Sequence, residues 1–141
     1  MMIDHNGVET ELPDEWCTAA GMPNFVRLAS AYLCDHAAAG GRRVCLIPIV
    51  DIEPVPRTPV FRSWEGISAR ERVERILRAI VADIALPPVQ LTKQAAGYPF
   101  SLKDGLHRLY CSIAAGFTDI PAVKFIDMKA LDAGRDIQDL C

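Results

Sequence analysis

The sequence predicts an α+β domain, because segments with the periodicity of strands alternate with segments typical of amphipathic helices. The clearest case is residues 98–125, whose apolar spacing predicts a strand, a turn, a helix and a second strand. Residues 68–85 predict a longer helix, and the β-rich apolar run at residues 44–50 predicts a further strand. Half of the 141 residues are hydrophobic, which suits one globular domain.

Two helices are predicted before the first of these strands. Residues 13–20 suit a short helix with Trp16 as its apolar anchor. Residues 24–36 place an apolar stripe on one side of a helix, with Asn24 as its cap and two glycines after its end. The sequence therefore predicts an added N-terminal helix, and leaves open whether it packs on the core or forms a dimer contact.

A strand and a stiff connector are predicted to follow. Pro48 confines the strand at residues 44–50 to a sheet edge or a bulge, because proline cannot donate a ladder hydrogen bond. Residues 53–59 contain three prolines, which favour extended backbone in the residues before them, and carry Arg57. We therefore expect an extended connector that either links elements or lies across a ligand site.

The helix at residues 68–85 is predicted to lead into a hairpin. Ser68 and Glu71 have the form of a capping box. Glu71 and Glu74 each precede an arginine by four residues, which favours neutralising pairs on a solvated face over a DNA-contact face. Residues 89–92 suit a short strand that turns back into the strand beginning at residue 98.

Polar residues collect where that strand meets the next helix. Gly105 has no Cβ, so an anion can approach the unpaired amides of the helix start, and Asp104 is expected to cap the helix. His107 and Arg108 add side-chain donors, and Lys103 adds a charge. These features predict a phosphate cradle. The alternative is an ordinary turn followed by a solvated first helical turn.

Composition excludes several classes of function. The net charge of −3 argues against a strongly basic surface that coats nucleic acid, although a local basic patch is compatible with it. No apolar run approaches the ~20 residues that span a bilayer, and the N-terminus lacks the features of a signal peptide, so we expect a cytoplasmic protein without membrane contact. The five dispersed cysteines and three histidines predict neither a disulfide framework nor a metal site.

The order of these segments resembles the ParB/sulfiredoxin-like domain over residues 44–127. The residues that carry the resemblance are Pro88-Val89, Asp104-Gly105-Leu106-His107-Arg108, Gly116 and Ile120-Pro121-Ala122. The resemblance implies a small mixed sheet packed against helices. It divides the chain into an N-terminal helical extension at residues 1–43, the domain at residues 44–127 and a tail at residues 128–141.

The resemblance also implies a function, since members of this family bind nucleotide phosphates at the turn that corresponds to residues 105–108. It implies binding of ATP or CTP with Mg²⁺ and hydrolysis of a phosphoryl or phosphodiester bond, as an ATPase or nuclease. The phosphate-binding residues would be Lys103, Gly105, His107, Arg108 and Arg57, and the catalytic ones Asp104 and His107. Leu106 stands where sulfiredoxins carry a cysteine, which argues against sulfiredoxin activity.

A second class of function stays open from the residues. The protein would then be a non-catalytic module, dimeric through the added N-terminal helix, that binds DNA or a protein. In that case Lys103, His107 and Arg108 would contact a backbone phosphate instead of a nucleotide.

Overall fold

The computed structural model describes residues 1–55 and 68–126 and has an α+β architecture with two small sheets. Arg57, with the connector from residue 56 onward, and the tail from residue 127 lie outside the described residues. Short 3₁₀ turns occur at Met22–Asn24, His36–Ala39 and Ile49–Asp51. The strands and α-helices, in chain order, are β1 (Met2–His5), β2 (Val8–Glu11), α1 (Asp14–Ala19), β3 (Cys45–Pro48), α2 (Ala69–Val81), β4 (Val89–Lys93), β5 (Phe100–Asp104), α3 (Leu106–Ala114) and β6 (Asp119–Ile126).

The larger sheet has the strand order β3-β6-β4-β5. β6 runs antiparallel to β3 and parallel to β4, while β4 and β5 form the predicted antiparallel hairpin. The prediction that Pro48 belongs to an edge strand is confirmed, because β3 pairs with β6 alone within the described sheet. β5 begins two residues later than the strand predicted from Tyr98.

One hydrophobic cluster joins the N-terminal hairpin, the helices and the sheet. Its fully buried members come from every part of the described chain, and include Ile3, Leu12, Leu77, Leu91, Leu109 and Ile120. α2 packs against α3, and α1 packs against α2. None of the described helices is long and apolar enough to cross a membrane.

α2 confirms the predicted helix but ends four residues before the predicted boundary. Ser68 Oγ accepts a hydrogen bond from the Glu71 amide at 3.1 Å, as an N-cap does. The helix stops because Asp83 adopts a left-handed conformation at φ 57°, and the Ile84 amide then bonds back to the Ala79 carbonyl at 2.8 Å. The buried Glu74 carboxylate pairs with both Arg70 and Arg78 on the helix surface.

The predicted helix at residues 24–36 is wrong, and α1 is the α-helix present in the described N-terminal region. The backbone there hydrogen bonds to other segments instead of to itself. The Ser30 carbonyl accepts from the amides of Thr118 and Asp119, while Leu33 and Asp35 exchange hydrogen bonds with Leu86. Leu28, which the helical stripe placed inside, is 93% exposed. Backbone hydrogen bonds to distant segments outweighed the helical preference that the apolar spacing indicated.

The cysteines follow the prediction in part. Cys111 is completely buried, as expected of a small core residue, and Cys17, Cys34 and Cys111 are free thiols. The sequence predicts no disulfide framework, but Cys45, a buried residue of β3, is disulfide-bonded.

Buried His5 makes the stability of the fold depend on pH. His5 Nε2 lies 3.1 Å from the Ile49 carbonyl, and Nδ1 is buried without a hydrogen-bond partner among the described residues. Burial lowers the pKa of His5 below its usual 6.5, against the opposing effect of the carbonyls. The folded state therefore favours neutral His5, and its contribution to stability is present above about pH 6.5 and is lost as the pH falls through the lowered pKa.

We expect the free energy of unfolding of the protein to fall between about pH 7.5 and about pH 5.5, by up to ~1.4 kcal/mol per pH unit from His5. Urea denaturation at the two pH values measures it. His5→Gln should reduce the pH dependence, whereas His36→Gln, at an exposed position, should not. An unchanged pH dependence in His5→Gln would contradict this account of His5.

Candidate functional site

The junction of β5 and α3 requires a glycine for two independent reasons. Gly105 is the N-cap of α3 and adopts φ 111° and ψ 29°, a conformation that L side chains rarely adopt. A Cβ at this position would lie 2.6 Å from Val89 Cγ1 and 2.9 Å from Val89 Cβ. Val89 is fully buried on β4, so it has no room to move away. The turn therefore brings bare backbone against the sheet.

Two amides at the start of α3 have no hydrogen-bond acceptor among the described residues. The first helical hydrogen bond joins the Leu109 amide to the Gly105 carbonyl at 2.9 Å. Among the described residues, no backbone or side-chain acceptor engages the amides of Leu106 and Arg108. The prediction that Asp104 caps the helix is wrong, because Asp104 is the last residue of β5 and no side chain caps α3. The helix start remains an anion-attracting end of a nine-residue helix.

Arg108 folds back against this turn. Its Nη2 lies 3.6 Å from Asp104 Oδ2 and 3.1 Å from the position that a Cβ on Gly105 would take. The Arg108 side chain is only 19% exposed, whereas that of Asp104 is 67% exposed. Arg108 Nε is buried and has no acceptor among the described residues. Within the described part of the chain, the guanidinium thus keeps one unpaired hydrogen-bonding group beside the helix start.

His107 lies next to the same charge but is itself neutral near pH 7. Burial lowers its pKa below 6.5, and the positive charges of Arg72 and Arg108 lower it further. A neutral imidazole can accept a proton or donate one N–H, but it adds no positive charge to the turn. The second cationic residue near this site is therefore Arg72 of α2, which the sequence pattern assigned to a solvated helix face.

Tyr32 is a further residue that the sequence did not assign to this region. Its hydroxyl donates to the Pro87 carbonyl at 2.6 Å, one residue before Pro88 and two before the Val89 that contacts Gly105. Burial raises the pKa of Tyr32, and the charge of Arg108 partly opposes that rise. The Tyr32 hydrogen bond thus fixes segment 25–35 to the chain two residues before β4 begins.

The other predicted site residues lie elsewhere. The Lys103 ammonium lies 4.9 Å from the centre of the Phe125 ring on β6, so Lys103 extends across the sheet and not toward α3. Arg57 lies outside the described residues. Glu53, a carboxylate that follows β3 in the chain, donates its amide to the Phe100 carbonyl at the start of β5, about 13 Å from the turn by strand rise.

The structure therefore brings together Asp104, Gly105, His107 and Arg108 of the predicted set, and does not bring Lys103 to them. Among the described residues, no group of three His, Cys, Asp or Glu side chains could hold a metal ion. A Mg²⁺ carried by phosphates needs only one or two protein carboxylates, and Asp104 is the carboxylate at this turn. No protein-family model matches the chain, and no curated protein sequence is similar to it.

Proposed function

We propose that the Gly105 turn binds the phosphate groups of a nucleotide, and that the chain is a nucleotide-binding domain of the ParB/sulfiredoxin-like kind. The observation that carries the proposal is the Arg108 guanidinium, packed against a helix start where the Leu106 and Arg108 amides have no acceptor among the described residues. A phosphate oxygen can accept from helix amides and from a guanidinium at the same time.

The energetics favour a doubly charged ligand over the carboxylate that now faces Arg108. The Asp104–Arg108 pair is long at 3.6 Å and its carboxylate is largely exposed, so separating the pair costs little, in the range of about 0–1 kcal/mol. A hydrogen bond to a charged group contributes about 1.5–3 kcal/mol, and a phosphate can form several here. Phosphate binding would also supply an acceptor to the buried Arg108 Nε.

The order of elements supports the resemblance as well. β3, α2, the β4–β5 hairpin, α3 and β6 follow one another as the family pattern implies. Cys111, the cysteine nearest to the turn in sequence, is completely buried, and burial raises the pKa of its thiol. Since the thiolate is the nucleophilic form, Cys111 is unsuited to sulfiredoxin chemistry.

Hydrolysis of the bound nucleotide is the further step in this proposal. Asp104 would hold a Mg²⁺ that neutralises charge on the phosphates. Neutral His107 would accept a proton from a water that attacks the terminal phosphorus, while the bond from that phosphorus to the bridging oxygen breaks and the nucleoside diphosphate leaves. The contacts at the turn are to phosphate oxygens, so they apply equally to ATP and CTP.

A thermal-shift titration with ATP, ADP, CTP and GTP, each with Mg²⁺, tests the binding step. At about one hundred times Kd, a bound nucleotide should stabilise the folded state by ~2.7 kcal/mol and raise Tm by roughly 8 °C. Adenosine and cytidine, which lack phosphates, are the matched controls and should give no shift. Equal shifts with nucleosides, or no shift with any nucleotide, would contradict phosphate binding.

A further inference from the structure

An apolar surface with little charge lies on both sides of the extended segment 25–35. One hollow, of about 300 Å³, lies between this segment, the end of α2 and Phe117, and a second hollow lies between the segment and the start of β3. Leu33 and Asp83 line both hollows, so the two form one continuous surface. Nineteen residues line it, fourteen around the first hollow and five more around the second. We refer to this surface as the apolar face.

Most of the large hydrophobic side chains that the described protein exposes belong to the apolar face. They are five of the eight such side chains among residues 1–55 and 68–126, namely Val26, Leu28, Leu33, Leu46 and Ile84. Hydrophobic side chains scattered singly over a surface are ordinary, whereas a contiguous group of them marks an interaction site. The apolar face is such a group.

The backbone that carries most of the apolar face is tied to distant parts of the fold. The Ser30 carbonyl accepts hydrogen bonds from the amides of Thr118 and Asp119 at 3.1 and 3.0 Å. The Leu33 carbonyl accepts one from the Leu86 amide at 2.9 Å. A surface that the fold already holds in this way loses little conformational entropy when a partner covers it. The face is therefore preorganised for binding.

The apolar face is complementary to itself in shape. Leu28 is 93% exposed, and it projects beside the first hollow, which it also lines. A projecting side chain and a hollow on one surface suit a two-fold axis, because each copy can then insert its side chain into the hollow of the other. One surface thus provides both halves of the contact.

The charges at this face complement one another as well. Among the described residues that line the hollows, Asp83 is the one carboxylate, and Arg27 stands next to Leu28 in the chain. Both side chains are exposed, and none of the ion pairs found in the described part of the chain includes either of them. With one charge of each sign, the face suits a copy of itself better than a strongly acidic or strongly basic partner.

We propose that the apolar face binds the same face of a second copy of the chain, which makes the protein a homodimer with a two-fold axis. Leu28 fills the first hollow of the partner, and this brings Arg27 to the partner's Asp83, which lines that hollow. Nineteen lining residues approach the roughly 20–30 residues that each partner contributes to a stable interface of standard size. The dimer does not depend on nucleotide binding at the Gly105 turn.

Sedimentation velocity of the full-length chain, from about 1 μM to about 200 μM, tests the proposal. The mass should rise with concentration to twice the 15.5 kDa of one chain and no further, because a two-fold interface closes on itself. Leu28→Glu should weaken the dimer roughly hundredfold, since symmetry places a carboxylate in both hollows. Its circular dichroism should match that of the wild type, because the Leu28 side chain is exposed.

Val50→Glu is the matched control, since Val50 is 65% exposed and lies outside both hollows. This variant should dimerise as the wild type does. A wild-type mass that stays at that of one chain throughout the concentration series would overturn the proposal, as would a wild-type dimer affinity in Leu28→Glu or an equal loss in the two variants. A mass that grows beyond two chains would overturn the two-fold arrangement.

Discussion

Gly105→Ala is expected to lower the free energy of unfolding by roughly 3–4 kcal/mol, the largest effect of any single methyl group that we predict. About 1–2 kcal/mol comes from holding a non-glycine residue at φ 111°. A further ~1–3 kcal/mol comes from overlap with Val89, because the new Cβ would lie 2.6 Å from a buried Cγ1. The cost measures how closely the turn approaches the sheet.

Urea denaturation measures this cost, and Gly97→Ala provides the control. Gly97 also has a positive φ, 77°, but a Cβ there meets nothing within 4 Å. Gly97→Ala should therefore show the backbone cost alone, about 1 kcal/mol. If both alanine variants lose the same stability, the close packing of Gly105 on Val89 is not what fixes this residue as glycine.

Arg108→Met is expected to weaken nucleotide binding without lowering the stability of the ligand-free protein. Methionine fills the buried space with a flexible apolar chain and removes a guanidinium whose Nε has no acceptor among the described residues. An unsatisfied buried donor costs about 1–3 kcal/mol, so the ligand-free variant should be as stable as the wild type or more stable by ~1 kcal/mol. Its nucleotide affinity should fall roughly hundredfold, because the variant loses the hydrogen bonds from the charged guanidinium to the phosphate, which contribute about 3 kcal/mol.

A urea titration of Arg108→Met measures its free energy of unfolding, and a nucleotide titration measures its affinity. Arg75→Met, at an exposed position on α2, is the matched control and should change neither quantity appreciably. Lower stability together with wild-type nucleotide affinity in Arg108→Met would mean that Arg108 is a structural residue. A functional residue that costs stability in the ligand-free state is the pattern expected of a binding site.

The elements with strong local signals were predictable from the sequence. α3 begins at Leu106 as its apolar spacing indicated, and its end follows from Gly116, which adopts φ 83° while the Phe117 amide bonds back to Ser112 at 3.0 Å. The β4–β5 hairpin and the edge position of β3 were likewise set by alternation and by Pro48. In these segments local preference and tertiary structure agree.

The segment at residues 24–36 was not predictable in the same way. Its apolar residues fall at helical spacing, yet Phe25 packs against Phe117 with ring centres 6.0 Å apart, and Tyr32 donates to Pro87. Each contact is made with a different distant element, so an extended path satisfies all of them and a helix does not. Such pairings depend on the fold as a whole, which periodicity does not report.

The candidate site, too, was predictable from the sequence only in part. Gly105 and Arg108 are neighbours in sequence, and the turn chemistry alone placed them together. Arg72 comes from another helix, and its effect on His107 depends on how α2 packs on α3. Lys103 was placed at the turn because it is adjacent in sequence, but strand alternation and the Phe125 ring direct its ammonium across the sheet.

In the proposed function, the Leu106 and Arg108 amides at the start of α3 and the Arg108 guanidinium together hold phosphate oxygens. Amide NMR of the ¹⁵N-labelled protein during titration with pyrophosphate and then ATP measures this most directly. The account predicts that the amides of Leu106, His107 and Arg108 and the Nε of Arg108 show the largest shifts, at a common Kd. Saturable shifts confined to other residues, with these four signals unmoved, would contradict it.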